Sequence, residues 1–368
     1  MKHPELIPAT QLSDFTHIID VRSPSEYAED HIPGAFNYPV LSDIEREHVG
    51  TLYKHSPFEA KKLGAALIAR NIAHHLEQSW HNQPRNWQPL IYCARGGQRS
   101  GFLTQILRQI GFAATRLEGG YKNYRQHVLQ QLAIVPAQLS FYVLCGLTGS
   151  GKSRLLGALK RHGAQVLDME QIARHRGSVL GDVIHENQPR QKSFDSQLLA
   201  QLKSFDLTKP VFIESESKKI GAVHVPDKLI EKMWVSPCLC LETPIKLRIE
   251  LLREDYIHFL QHPALLHTLL LRLKSSHSNA QITHWQNLCE TQAWDALITE
   301  LLEQHYDPAY NKSIHHHYPN YGDAPRLVLG SPSDSGFNQL AHETLALVGK
   351  IAGQGKTTLT RTGDKINA

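Results

Sequence analysis

Two short stretches of this 368-residue chain combine residue types that can do chemistry. The first, Tyr92–Gly101 (YCARGGQRSG), sets Cys93 beside Arg95 and Arg99 among glycines, where a helical pattern begins. The thiolate, not the thiol, is the nucleophile. A cysteine at a helix start gains from unpaired backbone N–H groups and from the positive end of the dipole. Arg95 and Arg99 add positive charge, and Gly96 and Gly97 allow the loop to curl its N–H groups into an anion nest. The stretch predicts a nucleophilic Cys93 beneath a tetrahedral or sulfur-type anion, with Arg95 and Arg99 as catalytic partners. A purely structural cysteine would leave the run Arg-Gly-Gly-x-Arg-Ser without a packing use.

The second stretch, Gly146–Ser153 (GLTGSGKS), fits the phosphate-binding pattern GxxxxGK[ST], and it stands between a strand pattern and a helix pattern, as that motif requires. The loop at Gly146, Gly149 and Gly151 can cradle a diphosphate with backbone N–H groups. Lys152 reaches the outer oxygens, and Ser153 is a candidate Mg²⁺ ligand. The next acidic strand end is PVFIESES, which offers Glu214 and Glu216 instead of the usual aspartate. They read as acidic partners of the loop or as a solvated strand end, and they weaken the case for ordinary ATP hydrolysis. A second glycine-rich segment, GKIAGQGKTT, has Gly349 one residue too far from Gly355 and is discounted. The adjacent histidines His315–His317 lack the separation that lets metal ligands converge, so no metal site is read from protein clusters.

These loops need strands beneath them. HIIDVR (His17–Arg22), PLIYCA (Pro89–Ala94) and ATRLEGGY predict strands. SPSEYAEDHI predicts a capped helical turn, starting at Ser23 or Ser25. After Cys93, the apolar residues Phe102, Leu103, Ile106, Leu107 and Ile110 predict one helical face, and Gly111 a stop. Leu129–Ser140 reads as a connection. Strands follow at FYVLCGL, AQVLDM, PVFIESE, CLCLET and PRLVLG, with a mostly helical stretch from Pro244 to Tyr306. Strand–helix alternation means α/β domains with largely parallel sheets. Two are expected, over residues 1–135 and 136–368, and the last dozen residues read as loosely ordered.

Bulk properties exclude several classes. Five cysteines without a CxxC pair argue against a disulfide framework and for a reducing compartment. Cys238 and Cys240 alternate on one strand face and read as core. The N-terminus lacks a signal-peptide pattern, and no apolar run is long enough to span a membrane, so the cytoplasm is expected. A net charge of +4 permits a polyanionic partner. Basic residues in Ala173–Ser178, Gln188–Phe194 and Glu216–Gly221 suit one, although each is also readable as a solvated face.

The cysteine loop, with Asp20–Pro39 (DVRSPSEYAEDHIPGAFNYP) and Leu117–Arg125 (LEGGYKNYR), resembles the rhodanese superfamily over about residues 10–130. That resemblance implies that Cys93 carries a chalcogen as a persulfide or perselenide. The spacing C-x5-R-S is one residue longer than the common CxxGxRS. It also matches cysteine phosphatases, although Tyr92 stands where they have histidine.

Taken nearly whole, the chain resembles the tRNA 2-selenouridine synthase family. The matching segments are the two loops, Leu167–Gly181, Phe212–Gly221, Leu241–Arg248 and His305–Tyr310, with Val179 a small departure. The resemblance implies an N-terminal rhodanese-like domain followed by a P-loop NTPase-like α/β domain with helical additions. It also implies a transferase acting on wobble 2-thiouridine in the tRNA anticodon arm. Geranyl diphosphate would alkylate the sulfur, and selenophosphate would then deliver selenium in its place. Transient contact with a selenophosphate-producing enzyme follows. On that reading Leu265–Leu273 (LLHTLLLRL) walls the isoprenoid tail; otherwise it is helix core. The competing readings are a rhodanese-type sulfurtransferase or cysteine phosphatase with a nucleotide-binding P-loop, and a non-catalytic RNA- or nucleotide-binding module.

Overall fold

The computed structural model of the chain describes residues 4–182 and 186–361. It divides into two compact units, Met1–Ile134 with Pro189–Ala200, and Val135–Gln188 with Gln201–Ala368.

The first unit holds strands β1 (Leu6–Ile7), β2 (Ile18–Asp20), β3 (Phe36–Asn37), β4 (Leu90–Tyr92) and β5 (Thr115–Leu117). They form one parallel sheet in the order β1-β5-β4-β2-β3. All three residues of β4 are buried, as expected for a central strand covered on both faces. Its neighbours bring the ends of β2 and β5 to either side of Cys93. The predicted helical turn is Pro24–Glu29, entered through Ser23, whose backbone N–H donates to Glu26 Oε2 at 3.1 Å.

Two expectations fail here. On the helix Gln98–Ile110 the buried face consists of Ser100, Leu103, Thr104 and Leu107, while Phe102 and Ile110 are exposed. Phe102 stands about half a turn away from that arc, so apolar character alone misplaced it. The expected connection Leu129–Ser140 is instead largely helical, because the helix Gly120–Gln138 continues through Pro136. Pro136 lies in its last turn, where the missing N–H removes one hydrogen bond without breaking the element. Val128, Leu132 and Val135 are buried along it.

The second unit is built on β6 (Phe141–Cys145), β7 (Gln165–Leu167), β8 (Val211–Glu214), β11 (Cys238–Glu242) and β12 (Arg326–Val328); a short antiparallel pair, β9 (Lys219–Ile220) and β10 (Val223–His224), stands apart. The five-stranded sheet is parallel, with order β12-β11-β6-β8-β7. The chain leaves β6 and returns at the edge strand β7, so β8 lies between them, and a loop at the end of β6 sits in the crevice of such a sheet. Leu155, Leu159, Phe212, Leu239, Leu251 and Phe337 are among the buried residues of its core. Cys238 and Cys240 are buried on β11, in agreement with the core reading. A separate helical cluster centres on Phe259, Leu270, Trp285, Cys289 and Leu297. Leu266, Leu270 and Leu273 are packed inward while Leu265 and Leu271 are exposed, so the leucine stretch is mainly helix core.

The discounted glycine-rich segment around Gly349 lies inside the helix Asp334–Arg361, which also carries residues expected to be loose; residues 362–368 fall outside the described residues. Among the described residues, no helix is long and apolar enough to cross a membrane.

Candidate active sites, one in each unit

In the first unit, Cys93 follows β4 directly and is buried, with its Sγ 3.2 Å from Ser100 Oγ. The loop is held from the end of β5. Tyr121 N donates to Cys93 O at 2.8 Å, and Lys122 N donates to Ala94 O at 3.0 Å. Gly120 makes this approach possible. Its φ is +60°, and a Cβ there would stand 2.2 Å from Cys93 O and 2.4 Å from Gly96 N. Arg95 is exposed and makes no hydrogen bond or ion pair among the described residues, which leaves its guanidinium open to an arriving anion.

Arg99 is placed differently from its neighbour. Its Nη1 and Nη2 donate to Glu26 Oε2 and Oε1 at 2.6 and 3.2 Å, so it ties the cysteine-loop helix to the start of the helix Pro24–Glu29. Burial opposes the charge on Glu26, but hydrogen bonds and attraction from Arg99, with the Ser23 N–H, hold its carboxyl below the ordinary range.

The end of β2 forms the other wall. Asp20 and Arg22 are buried as a bidentate pair, with Arg22 Nη2 2.6 Å from Asp20 Oδ2, and Arg22 Nη2 also donates to Asp30 O at 2.6 Å. The Arg22 guanidinium lies 4.0 Å from the Tyr121 ring centroid. Tyr92, at the position noted in the sequence, is buried and accepts a hydrogen bond from Ile32 N at 3.2 Å. It thus serves the packing of the Asp30–Gly34 turn. Burial raises the carboxyl of Asp30 despite donors from Tyr121 at 2.7 Å and Ser196 at 3.0 Å. Ser196 belongs to the Pro189–Ala200 segment, as does Asp195, the partner of Arg125. The basic residue Lys192 pairs with Glu29 at 2.8 Å.

In the second unit, the loop Gly146–Ser153 leaves β6 and opens the helix Lys152–Arg161. Gly151 has φ +88°, and a Cβ would stand 2.7 Å from Phe337 Cζ. At Gly149 it would meet Leu252 at 2.7 Å, and at Gly146 Leu241 O at 2.8 Å, so all three predicted glycines allow a close approach. Lys152 Nζ donates to Gly146 O at 2.9 Å, tying the ammonium across the loop. Gly146 N donates to Tyr310 Oη at 2.7 Å, and Tyr310 also meets Ser215 Oγ at 2.9 Å. Arg248 Nε donates to Thr148 O at 2.9 Å, while its Nη1 and Nη2 donate to Asp307 at 2.9 and 2.6 Å. The loop is therefore braced from the helices Ile245–Asp255 and Asp307–His317 as well as from its own strand.

Register explains the acidic side. Leu144 of β6 is opposite Glu214 of β8, so the strand-end glutamates stand beside the loop. A third carboxylate joins them: Glu170 offers an oxygen that lies, with one from Glu214 and one from Glu216, in a group all within 4.8 Å of one another. Ser153 Oγ is 3.5 Å from Glu170 Oε2. Burial, then repulsion from Glu214 and Glu216, pushes the Glu170 carboxyl up to about 10. Burial and repulsion from Glu214 bring Glu216 to about 7, and burial raises Glu214. Glu214 Oε1 is buried without a hydrogen-bond partner among the described residues.

Gly149, Gly151, Lys152, Ser153 and the three glutamates line one cleft. It adjoins a pocket walled by apolar side chains such as Leu260, Leu266, Trp294, Ile298 and Leu301. Thr148, Ser178, Leu252, Tyr256 and Tyr306 line both.

The residues singled out in the sequence thus fall into two groups, one per unit, with Arg99 turned to a structural partner. Sequence reasoning missed Ser100, Glu26, Glu170, Arg248, Asp307 and Tyr310. All six lie in segments already picked out for their resemblance, which was the one available signal.

Two family descriptions match successive parts of the chain. Residues 8–127 match the family described as the rhodanese-like domain, and residues 139–272 match the tRNA 2-selenouridine synthase AAA domain. Among solved structures, the rhodanese-related protein from Thermoplasma volcanium is similar at 20% identity and TM-score 0.22, covering 33% of this chain and 90% of its own. The tRNA 2-selenouridine synthase of Salmonella paratyphi A is 37% identical over 67% of this chain and 68% of its own length. That of Nitrosomonas europaea is 36% identical over 70% of this chain and 68% of its own. With a rhodanese-like first part, a P-loop second part and relatives at this identity over two thirds of their length, the chain belongs to the tRNA 2-selenouridine synthase family.

Proposed function

We propose that the protein modifies wobble 2-thiouridine in tRNA in two steps, geranylation from geranyl diphosphate and then replacement of the geranylated sulfur by selenium from selenophosphate. The observation that carries this reading is the junction of a P-loop cleft with an apolar cavity through shared wall residues. A diphosphate with a hydrocarbon tail needs both environments, and a nucleoside triphosphate needs only the first.

In the first step the thiouridine sulfur attacks C1 of geranyl diphosphate. The C1–O bond breaks, the diphosphate leaves with the electron pair, and the base gives up its N3 proton to solvent. Backbone N–H groups of Gly146–Ser153 and the Lys152 ammonium stabilise the departing charge. The acidic cluster fits Mg²⁺: hard oxygen atoms of Glu170, Glu214 and Glu216 converge, Ser153 Oγ lies 3.5 Å from Glu170 Oε2, and one buried carboxylate oxygen has no partner. A bound Mg²⁺ ion would supply further charge neutralisation for the leaving diphosphate. Alkylation turns the sulfur into a good leaving group.

In the second step the P–Se bond of selenophosphate breaks, its phosphoryl group passing to water, and selenide adds at C2 of the base. The geranyl thiolate then departs with the C2–S electron pair and takes up a proton. We assign the handling of the selenium donor to Cys93, with Ser100 as the hydrogen-bond partner of its sulfur and Arg95 as the exposed cation for the phosphate. Arg99 fixes the loop through Glu26.

The test is incubation of the full chain with thiolated tRNA and each co-substrate in turn, followed by nucleoside mass spectrometry. Geranylated thiouridine should form with geranyl diphosphate alone, and selenouridine only after selenophosphate is added. Selenouridine formed at full rate without geranyl diphosphate would overturn the two-step order.

A further inference from the structure

The P-loop cleft is lined by an aromatic pair as well as by the phosphate loop. Trp234, His317 and Lys218 line the same cleft as Lys152 and Ser153. Trp234 and His317 stack with ring centroids 4.7 Å apart and planes 23° from parallel. Lys218 Nζ lies 5.3 Å from the Trp234 ring centroid, and its ion pair to Asp227 is long at 3.7 Å. The His317 ring is fixed by Nδ1, which lies 2.9 Å from Ser313 O one helical turn earlier. Nδ1 therefore carries the proton, because a carbonyl can only accept, and in the neutral ring Nε2 is left as an acceptor. Neither His317 Nε2 nor Trp234 Nε1 has a hydrogen-bond partner among the described residues. Both residues are partly exposed and line the cleft as a stacked pair, with His316 packed edge-on against His317 at 4.6 Å.

Stacked aromatic rings beside a cation, with unpaired edge groups, match the chemistry of an unstacked nucleobase and its phosphodiester. An isoprenoid tail would not use the polar edges, and the adjoining apolar pocket already suits it. A base must also leave its stack for its sulfur to reach an alkylating centre.

We propose that Trp234 and His317 form the platform on which the nucleobase being modified stacks, with Lys218 meeting the adjoining phosphate. This rests on the reading of the P-loop cleft as the alkylation site. Trp234 and His317 are held on the ends of two different helices, Asp227–Trp234 and Asp307–His317. The second of these also carries Tyr310, which braces Gly146, so the platform and the phosphate loop share one rigid support.

The full-length protein is titrated with an anticodon stem–loop RNA carrying 2-thiouridine at the wobble position, and tryptophan fluorescence is read. The same stem–loop with an abasic wobble site, and inorganic pyrophosphate, serve as controls. The thiouridine RNA should quench the wild type, and Trp234→Phe should remove that quench while keeping affinity near wild type. Trp234→Ala should weaken RNA binding by about 5- to 150-fold, the range one base–aromatic stack supports. Pyrophosphate binding should be the same in all three proteins, which also shows that they are folded. The proposal is overturned if Trp234→Phe is quenched as strongly as wild type, if Trp234→Ala binds RNA undiminished, or if abasic RNA binds as tightly as thiouridine RNA. A Trp234-dependent quench in a protein that consumes no geranyl diphosphate would refute the reaction proposed above and keep the platform.

Discussion

Gly120→Ala should separate the two proposed steps, and its effect can be worked from the contacts around the cysteine loop. Alanine at φ +60° carries a left-handed penalty of about 1–2 kcal/mol. The new Cβ would also stand 2.2 Å from Cys93 O and 2.4 Å from Gly96 N. Both are backbone atoms, so no side-chain rotation relieves the overlap, and forced packing of this kind adds about 1–3 kcal/mol. The total of about 2–5 kcal/mol is a large share of the 5–15 kcal/mol that stabilises an ordinary domain. Two outcomes follow together. The cysteine loop must move off the end of β5, losing the Tyr121 N–Cys93 O and Lys122 N–Ala94 O hydrogen bonds, and unfolding of the first unit should begin at lower temperature, by about 2–4 °C per kcal/mol. Gly97→Ala is the comparison: its φ is −91° and a Cβ there meets nothing within 4 Å, so it should destabilise less. The assay is thermal unfolding together with nucleoside mass spectrometry. Gly120→Ala should accumulate geranylated thiouridine and make little selenouridine. Wild-type selenation and an unchanged unfolding curve would refute the claim that this glycine sets the loop.

Three further predictions bear on the second unit and on pH. Lys152→Ala should weaken pyrophosphate binding and stop geranylation, yet selenate tRNA that already carries geranylated thiouridine; failure on that substrate by a folded variant would place the P-loop in the selenium step too. Ile298→Trp, at the wall of the apolar cavity, should weaken geranyl diphosphate in a direct binding assay and leave pyrophosphate affinity unchanged; equal losses for both would show that the tail lies elsewhere. Glu26→Gln should lower stability at neutral pH by about 1.5–3 kcal/mol, the worth of hydrogen bonds to a charged partner. Because the Glu26 carboxyl is held below its ordinary value, its contribution is full above that value and is lost as pH falls through the lower folded one. The wild-type advantage should therefore shrink in acid denaturation curves measured down to about pH 3, below the ordinary glutamate value; a constant gap would contradict the Arg99 pairing.

Both chemical loops were legible in the sequence because each is local: a strand, a glycine-permitted curl and a helix start, all within about ten residues. The Gly146–Ser153 pattern carries its own geometry, since the groups that face a phosphate are the backbone N–H groups of that same segment. Buried strands such as Leu90–Tyr92 and Val211–Glu214 were legible too, because a parallel strand covered on both faces is apolar throughout. What only the tertiary structure decided concerns partners distant in sequence. Arg99 sits one residue from Ser100 in a chemically suggestive run, but the fold brings Glu26 to it and makes it a brace. Glu170 reaches Glu214 and Glu216 through the parallel crossover that sets β7 beside β8, a pairing that no spacing encodes. The apolar cavity joins wall residues from several helices between Ile245 and Tyr306, each of which alone reads as ordinary core. Leu266 shows the limit: its type and period place it on a buried face, and only the packing of neighbouring helices leaves space in front of it. Local backbone chemistry is written in adjacent residues, whereas cavities and charge pairs are set by which elements the fold makes neighbours.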